Sequence, residues 1–503
     1  MAVLAYLNVV FSQIYSWIIP AIIGIVVYRW LRKPHPNFPP GPLGFPVVGV
    51  IPYVSKNMVD TIFEWRKTYG PIIFARFPAN PTVFLNTYET IQEAFSKQSI
   101  KFSGRPIMPL LYEVTNDTSG IIMKDYGHEW KMQRKLGNKV FRGFLFGDRG
   151  FETIVQEEAK LVIQQLKKKV DEPIHFNVEL SKATANVISM VVIGRRFDED
   201  DTQFKALVEG SEKTMGDPKD ALLVQMSMMF PITRFIPPVG NAVKRTIKLH
   251  LDILDLMHDF VVERQNNFNS ENIKCFVDAY LFQQQNSNPK EAAVFTKHEL
   301  HSLVKDLYFA GIETSSHTLS WAFLILLHYP ECGKQIQTEI DNIISEDEPG
   351  LNHRESMPYT CAFIQEVLRF RTIVPYGVPR MTSVDAELNG CYIPKGTTVM
   401  ANIWGVHNDP KNWTNPEKFD PLRHIDDNGK FFLSPKVMSF SVGQRRCLGE
   451  LLARSELFIF LVATLQNFNI SKDPTLDKLP ILDDGVMSGV YVPLEYKLVL
   501  TCR

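Results

Sequence analysis

The sequence predicts a mainly α-helical chain with a smaller β-rich part (α+β), preceded by one N-terminal transmembrane helix. Three observations carry this. Apolar residues recur at helical spacing over 151–194, 296–328 and 448–465. Shorter runs at 72–77, 82–85 and 485–500, bounded by Pro or Gly, read as paired strands. Residues 2–27 are mostly apolar and end against Tyr28, Arg29, Trp30, Arg32 and Lys33. That stretch is long enough to cross a bilayer, and its aromatic and basic flank marks the cytoplasmic end.

A cleaved signal peptide would have a shorter apolar core behind basic residues, so the segment reads as a retained anchor. At 503 residues, 45% hydrophobic and 22% charged, the chain can bury a large core. No Gly/Ser-rich linker divides it. The reading is an anchor at 1–30, a basic and proline-rich hinge at 31–50, and one large domain over 51–503. A net charge of -1 gives no support to nucleic-acid binding. Cys275, Cys332, Cys361, Cys391, Cys447 and Cys502 show no C-x-x-C spacing, which suits a reducing compartment.

In chain order, Pro39-Pro40-Gly41-Pro42-Leu43-Gly44-Phe45-Pro46 forbids helix continuation and forms a stiff hinge. Trp130 and Arg134 stand four apart, so a helix puts an indole N–H and a guanidinium on one face, where both can grip one carboxylate. A snorkelling surface pair is the plainer reading of that spacing. Residues 222–235 carry Met226, Met228, Met229 and Phe230, a stripe more often core than membrane. Thr296-Lys297-His298-Glu299 is a capping box opening a helix that runs to about His328. In its middle, Gly311-Ile312-Glu313-Thr314-Ser315-Ser316 interrupts an apolar pattern at a cost in helix propensity. The hydroxyls can simply bond the preceding turn, or the acid and alcohol can do chemistry. Glu366 and Arg369, three apart, share a helix face, a pairing that is usually only a weak surface salt bridge.

The densest chemical signal is Phe440-Ser441-Val442-Gly443-Gln444-Arg445-Arg446-Cys447-Leu448-Gly449-Glu450. It reads as a loop delivering a thiol to a helix N-terminus, where unpaired amides favour the thiolate. The two glycines let backbone approach a bulky flat ligand, Phe440 shields the sulfur, and Arg445 neutralises a nearby anion. A lone cysteine is ordinarily a small buried hydrophobe. Four flanking constraints argue otherwise here.

This F-x-x-G-x-R-x-C-x-G loop resembles the haem-binding loop of the cytochrome P450 haem-thiolate monooxygenases, and further matches cover nearly everything from Pro34 onward. The resemblance implies the P450 fold and haem b (iron protoporphyrin IX), with Cys447 as the axial ligand of the iron. It implies that Arg105, Trp130, Arg134, Arg380, Phe440 and Arg445 hold the cofactor, and that Glu313 and Thr314 are the acid-alcohol pair beside the dioxygen site. It makes Glu366 and Arg369 part of a buried network with Arg423 that holds the loop, with His424 where phenylalanine is common. It implies an apolar substrate pocket lined by Phe309, Ala310, Val374, Val378, Gly489 and Val490, with residues 106–125 as a loop over it and 222–235 as a lid touching lipid.

The chain has no G-x-G-x-x-G after a strand and no flavin signature, so its electrons come from outside. The resemblance implies the membrane-bound NADPH–cytochrome P450 reductase as donor, with cytochrome b5 as a further partner. It also implies dioxygen as co-substrate, an endoplasmic reticulum location and a lipophilic substrate. Lys131, Lys135, Lys139, Arg142 and Arg446 are candidates for a basic docking face. Residues 102–108, 187–192 and 309–314 look most like the steroid 17-alpha-hydroxylase group and its xenobiotic-oxidising relatives, so a steroid leads. Two other classes compete: a haem-thiolate peroxide isomerase or dehydratase needing no outside electrons, and a non-catalytic haem sensor. The Glu313-Thr314 pair argues against both, since neither needs a proton relay.

Overall fold

The computed structural model describes residues 17, 18, 20–22, 24, 25, 27, 28, 35–55, 57–78, 80–115, 120–142, 150–214 and 220–503. The helices that position the site are, in chain order, α1 (His128–Phe141), α2 (Phe151–Leu166), α3 (Phe176–Ile193), α4 (Thr202–Thr214), α5 (Ala221–Met229), α6 (Pro237–Asn266), α7 (Lys297–His328), α8 (Pro358–Phe370) and α9 (Glu450–Asn467). The long α7 runs through the main core, packed against α3, α9 and neighbouring helices. Its Trp321, Phe323 and Leu324 are fully buried, each stabilising by roughly 1.5–3 kcal/mol.

Thr296 caps α7 by accepting the Glu299 amide at 3.1 Å. Only half of the expected capping box forms. The Glu299 carboxylate turns instead to the Gly120 amide at 3.3 Å and to the Lys124 ammonium, where it gains a charged partner. The helix expected over 151–194 is two helices. Asp171 takes φ +64° and Pro173 lacks an amide donor, so the chain breaks and Pro173–Ile174 pairs with Leu498–Cys502.

The strands that matter are β1 (Ile72–Arg76), β2 (Pro81–Leu85), β3 (Arg380–Met381), β4 (Thr398–Ala401), β5 (Gly485–Ser488) and β6 (Val490–Pro493). The expected β1–β2 pair is antiparallel, from Ile72 opposite Leu85 to Arg76 opposite Pro81. Residue 79, in the turn between them, lies outside the described residues. β2 also pairs in parallel with β4, and β4 antiparallel with β3, giving the order β1-β2-β4-β3. This sheet has its own apolar core, which includes Val83, Leu85, Phe95 and Val399, and it delivers Arg380 to the site. β5 and β6 form the expected hairpin around Gly489, whose φ of +71° suits glycine.

Most of the expected anchor lies outside the described residues, namely 1–16, 19, 23, 26, 29 and 30, as do 31–34 of the hinge. The described positions between 17 and 28 are helical, with Trp17, Ile18, Ile22, Ile25 and Tyr28 exposed. No helix among the described residues is long and apolar enough to cross a membrane. In the loop expected over the pocket, Pro109–Thr115 is a helix, and 116–119 lie outside the described residues.

Candidate functional site

The cysteine loop closes on itself: the Cys447 amide donates to the Phe440 carbonyl at 2.9 Å. Ser441 and Gly443 both take left-handed backbone, at φ +58° and +74°. A Cβ at Gly443 would sit 1.6 Å from the Phe95 carbonyl oxygen. This glycine therefore also serves close approach to the protein's own backbone, at Phe95. α9 begins just after the loop, with Gly449 as its N-cap residue. The Cys447 side chain is accessible, yet the protein mass around it pushes the thiol up, against the opposing pull of the Gly449 amide, Arg134 and Arg446. Burial is the largest influence on the free thiol, with Glu450 adding to it, and the Gly449 amide at the helix end opposes it.

Three arginines converge beside this loop from remote parts of the chain. Arg105 donates to the carbonyls of Ile122 at 2.7 Å and Pro379 at 2.5 Å. Arg445 donates to Ser103 at 2.9 Å, Ile121 at 3.3 Å and Lys124 at 2.7 Å, all backbone carbonyls, with its guanidinium 4.2 Å over the Trp130 ring. Arg380 donates to Ser441 Oγ at 3.0 Å and the Val442 carbonyl at 2.7 Å, while its Nη1 is buried without a hydrogen bond. These residues are only 7%, 8% and 2% exposed. None has an ion-pair partner among the described residues. Burial first, and then one another's charge, pull all three down to about 9, which leaves them cationic at neutral pH. Asp306 and Asp125 act on Arg105 and Arg445 only from beyond ion-pair contact, so three buried cations, one with an orphaned N–H, call for an anionic ligand. Haem fits, because its carboxylates supply that charge and the accessible thiol of Cys447 supplies a metal ligand.

Trp130 and Arg134 lie four residues apart on α1, and within the chain each donates to a separate backbone carbonyl. The indole N–H donates to the Ile121 carbonyl at 3.0 Å, and Arg134 Nη2 donates to the Arg446 carbonyl at 2.5 Å. Trp130 acts here as a platform under Arg445. Phe440 packs against the main core, with Arg454 4.8 Å over its ring.

The loop is held from behind by a buried polar cluster. Glu366 receives two hydrogen bonds from Arg369, at 2.7 and 2.8 Å, and one from Arg423 at 3.0 Å. Its Oε2 also lies 2.9 Å from His424 Nε2. Burial alone would raise the Glu366 carboxyl, but the bonds from Arg369 and His424 and the charges of Arg369 and Arg423 hold it at about 2. His424, which the sequence marks only as standing in for phenylalanine, is a full member of the network. His407 links the network to the loop. Its carbonyl accepts from Arg369 at 2.8 Å, and its Nε2 accepts from the Met438 amide at 2.7 Å. Ser439 Oγ then donates to the Leu368 carbonyl at 2.7 Å.

On α7, Thr314 donates to the Ala310 carbonyl at 2.6 Å, and Ser316 to that of Ile312 at 2.9 Å. The hydroxyl-to-preceding-turn reading therefore holds for both. Thr314 keeps its oxygen lone pairs as acceptors, and it is half-buried one turn from exposed Ala310 while Ile312 and Glu313 are buried. Ser315 departs from the pattern and donates to Glu456 on α9. Glu313 points elsewhere, to His317, at 3.0 Å.

The six residues expected to line a pocket come from three adjoining elements. Phe309 and Ala310 are on α7, and Val374 and Val378 follow α8. Gly489 and Val490 form the hairpin turn. The Tyr491 amide donates to the Ile373 carbonyl at 2.7 Å, and Trp321 Nε1 to the Tyr491 carbonyl at 3.0 Å, so hairpin, α8 exit and α7 are tied together. Val490 is buried and Val378 is exposed. Lys131, Lys135 and Lys139 repeat every fourth residue along α1 and are exposed, as are Arg142 and Arg446. Arg446 is paired with Glu450 at 2.6 Å.

Known proteins resemble this chain along most of its length. The family model described as Cytochrome P450 matches residues 39–500. Cytochrome P450 2J3 of Rattus norvegicus is 34% identical over 475 residues, covering 93% of this chain and 91% of the relative. Cytochrome P450 2C39 of Mus musculus is 34% identical, covering 93% and 94%. Cytochrome P450 2C8 of Homo sapiens is also 34% identical, covering 92% and 94%. With its helical body, small sheets and cysteine loop, the chain belongs to the cytochrome P450 family of haem-thiolate monooxygenases, which use dioxygen and NADPH electrons delivered by a reductase.

Proposed function

We propose that this chain is a membrane-anchored monooxygenase of the endoplasmic reticulum that hydroxylates a lipophilic substrate, with a steroid as the leading class. Residues 1–30 form a single-pass anchor, 31–50 a hinge, and 51–503 the cytosolic catalytic body. The observation that carries the site assignment is the trio of buried guanidinium groups, without an ion pair among the described residues, beside the accessible thiol. Arg105, Arg380 and Arg445 hold the haem carboxylates, with Trp130 and Arg134 bracing them, Phe440 packing beside the loop and Cys447 binding the iron. Haem bound through a thiolate supplies dioxygen activation, because the sulfur donates electron density that favours O–O cleavage.

The chain's own groups manage protons and position. Thr314 Oγ1, its hydrogen committed to Ala310, accepts a hydrogen bond from a hydroxyl or water at the reacting centre. Glu313 connects that centre to solvent. Phe309, Ala310, Val374, Val378, Gly489 and Val490 present an apolar surface to the substrate. Cytochrome b5 is a second electron partner, docking with the reductase on the Lys131, Lys135 and Lys139 face.

Lipid contact through the lid is supported by exposed Leu222, Met226, Ile232, Phe235 and Ile236. The sequence points to Met228, Met229 and Phe230, which are half-buried; the residues after Pro231 carry the largest apolar exposure instead. Changing Ile232, Phe235 and Ile236 to Ser lowers vesicle binding of a body lacking 1–30, and unchanged binding would count against the lid. The functional reading is tested by adding steroids, fatty acids and aromatic drugs to the purified protein and following the ligand-induced spin-state change. Turnover of each binder with reductase and NADPH is then measured. Turnover of a peroxide without NADPH would favour the isomerase reading, and no turnover at all the sensor.

A further inference from the structure

Glu313 is fully buried, at 0% exposed, and neither carboxylate oxygen has a well-directed hydrogen bond among the described residues. Its one ion-pair contact among them is to His317, one turn further along α7. His317 Nε2 lies 3.0 Å from Glu313 Oε2, and the imidazole side chain is 12% exposed. So the buried acid touches a titratable group that itself reaches the edge of solvent.

Across from this pair, α4 packs on α7 and carries Glu212, which is exposed. Surrounding protein and then the charge of Glu313 push the Glu212 carboxyl up, while His317 pulls it down. The two acids and the imidazole therefore feel one another. The other charged groups around them are Lys213 on α4 and Glu495 after β6. From α9, Glu456 meets Ser315 on α7, and from α3 the neighbour is the uncharged Thr184, which donates to the Ile312 carbonyl at 3.0 Å.

We propose that His317 is the positioning residue through which Glu313 is recharged with protons, with Glu212 as the solvent-side station. This rests on the reading of Glu313 as the buried acid of the relay. The step moves one proton and no electrons. The Nε2–H proton of the imidazolium passes to Glu313 Oε2, leaving neutral imidazole and a carboxylic acid. The imidazole left behind carries its hydrogen on Nδ1, so the ring turns its bare Nε2 to the Glu212 side, takes up a proton carried there by water, and turns back. An imidazole suits the task because it changes charge near neutral pH and can take a proton on one nitrogen while releasing another. A lysine or arginine at 317 would neutralise Glu313 equally well but would hold its proton.

The test compares full-length holoenzyme as wild type, His317→Gln, Glu212→Gln and Glu313→Gln. His317→Gln keeps an N–H donor facing Glu313 but cannot exchange a proton. With reductase, NADPH and a steroid that gives a spin-state change as substrate, the product formed per NADPH and the peroxide released are measured across about pH 6 to 8.5. Wild-type coupling is expected to fall as pH rises and protons at the entrance of the path become scarcer. His317→Gln is expected to lower coupling at the acid end by about tenfold or more and to flatten the profile. Its carbon monoxide spectrum and thermal midpoint are expected to stay at wild type.

Infrared titration of the ferric protein without reductase gives a readout independent of turnover. The Glu313 carboxyl band, identified by its loss in Glu313→Gln, is expected to titrate together with an imidazole band and to lose that coupling in His317→Gln. Wild-type coupling and an unchanged pH profile in His317→Gln, with Glu313→Gln impaired, would overturn the proposal and leave the ion pair structural. Unimpaired Glu313→Gln would instead remove the underlying reading of Glu313. Should His317→Gln fold poorly, the exposed Glu212→Gln decides: a shifted pH limb supports the path, and an unshifted one contradicts it.

Discussion

His424 Nε2 lies 2.9 Å from Glu366 Oε2 in a cluster where neither side chain is exposed. With Arg369 on both carboxylate oxygens and Arg423 on Oε1, the acid has a directed partner on each side. The cluster then reaches the cysteine loop through His407 and Met438.

Glu366→Gln leaves the Arg369 guanidinium buried without its counter-charge, so it is expected to destabilise by about 3–5 kcal/mol. The pH dependence has a definite sign. The folded carboxyl sits at about 2, below its ordinary value of 4.5. Its stabilisation is therefore fully present above about 4.5 and is lost as pH falls toward 2. Denaturant midpoints of wild type and variant, measured from neutral pH downward, should converge on the acid side.

Glu456 behaves in the opposite sense. It is buried on α9 with Ser315 as its hydrogen-bond donor, and burial raises its carboxyl to about 8 despite that bond. The folded protein binds a proton that the unfolded chain releases above about 4.5, so this group costs stability progressively as pH rises from there to about 8. Glu456→Gln should be more stable than wild type at alkaline pH, and the difference should shrink toward pH 5. Thermal midpoints at several pH values check it; a pH-independent difference would mean the carboxyl is ionised in the fold.

Gly443→Ala combines a left-handed backbone with a Cβ 1.6 Å from the Phe95 carbonyl oxygen. The conformation alone costs roughly 1–2 kcal/mol, and the loop must also move away from Phe95. The expected result is folded protein with a reduced Soret-to-protein absorbance ratio.

Arg380→Leu should act with opposite signs on two measurements. Removing one of three clustered buried cations relieves repulsion, so haem-free protein should unfold at higher denaturant. Haem transfer to an excess of an acceptor protein should become faster, because the orphaned Nη1 and its charge are gone. Slower or unchanged transfer would count against Arg380 as a carboxylate holder.

Much of this was legible in the sequence where the chemistry is local. The cysteine loop, the Glu366-Arg369 spacing, the long helix and the Gly489 hairpin are each contained in a few residues. What was not legible comes from partners distant in the chain. Arg445 reaches Ser103, Ile121 and Lys124 across more than 300 positions, and no periodicity reports such a carbonyl cage. The contact of Gly443 with the Phe95 carbonyl is hidden for the same reason, since Phe95 is remote in sequence. His424 was visible as a departure from phenylalanine, but its value depends on Glu366 arriving opposite it. His317 had a signal that could have been used: it stands four residues after Glu313 on a helix, the spacing at which side chains meet.

The sulfur of Cys447 is the atom proposed to bind the iron, and every other role at the site follows from that bond. Full-length protein with Cys447→Ser is reduced with dithionite, exposed to carbon monoxide and compared with wild type. The far-shifted Soret band of a thiolate-ligated haem is expected in wild type and absent from the variant. Retention of that band by the serine variant would contradict the assignment.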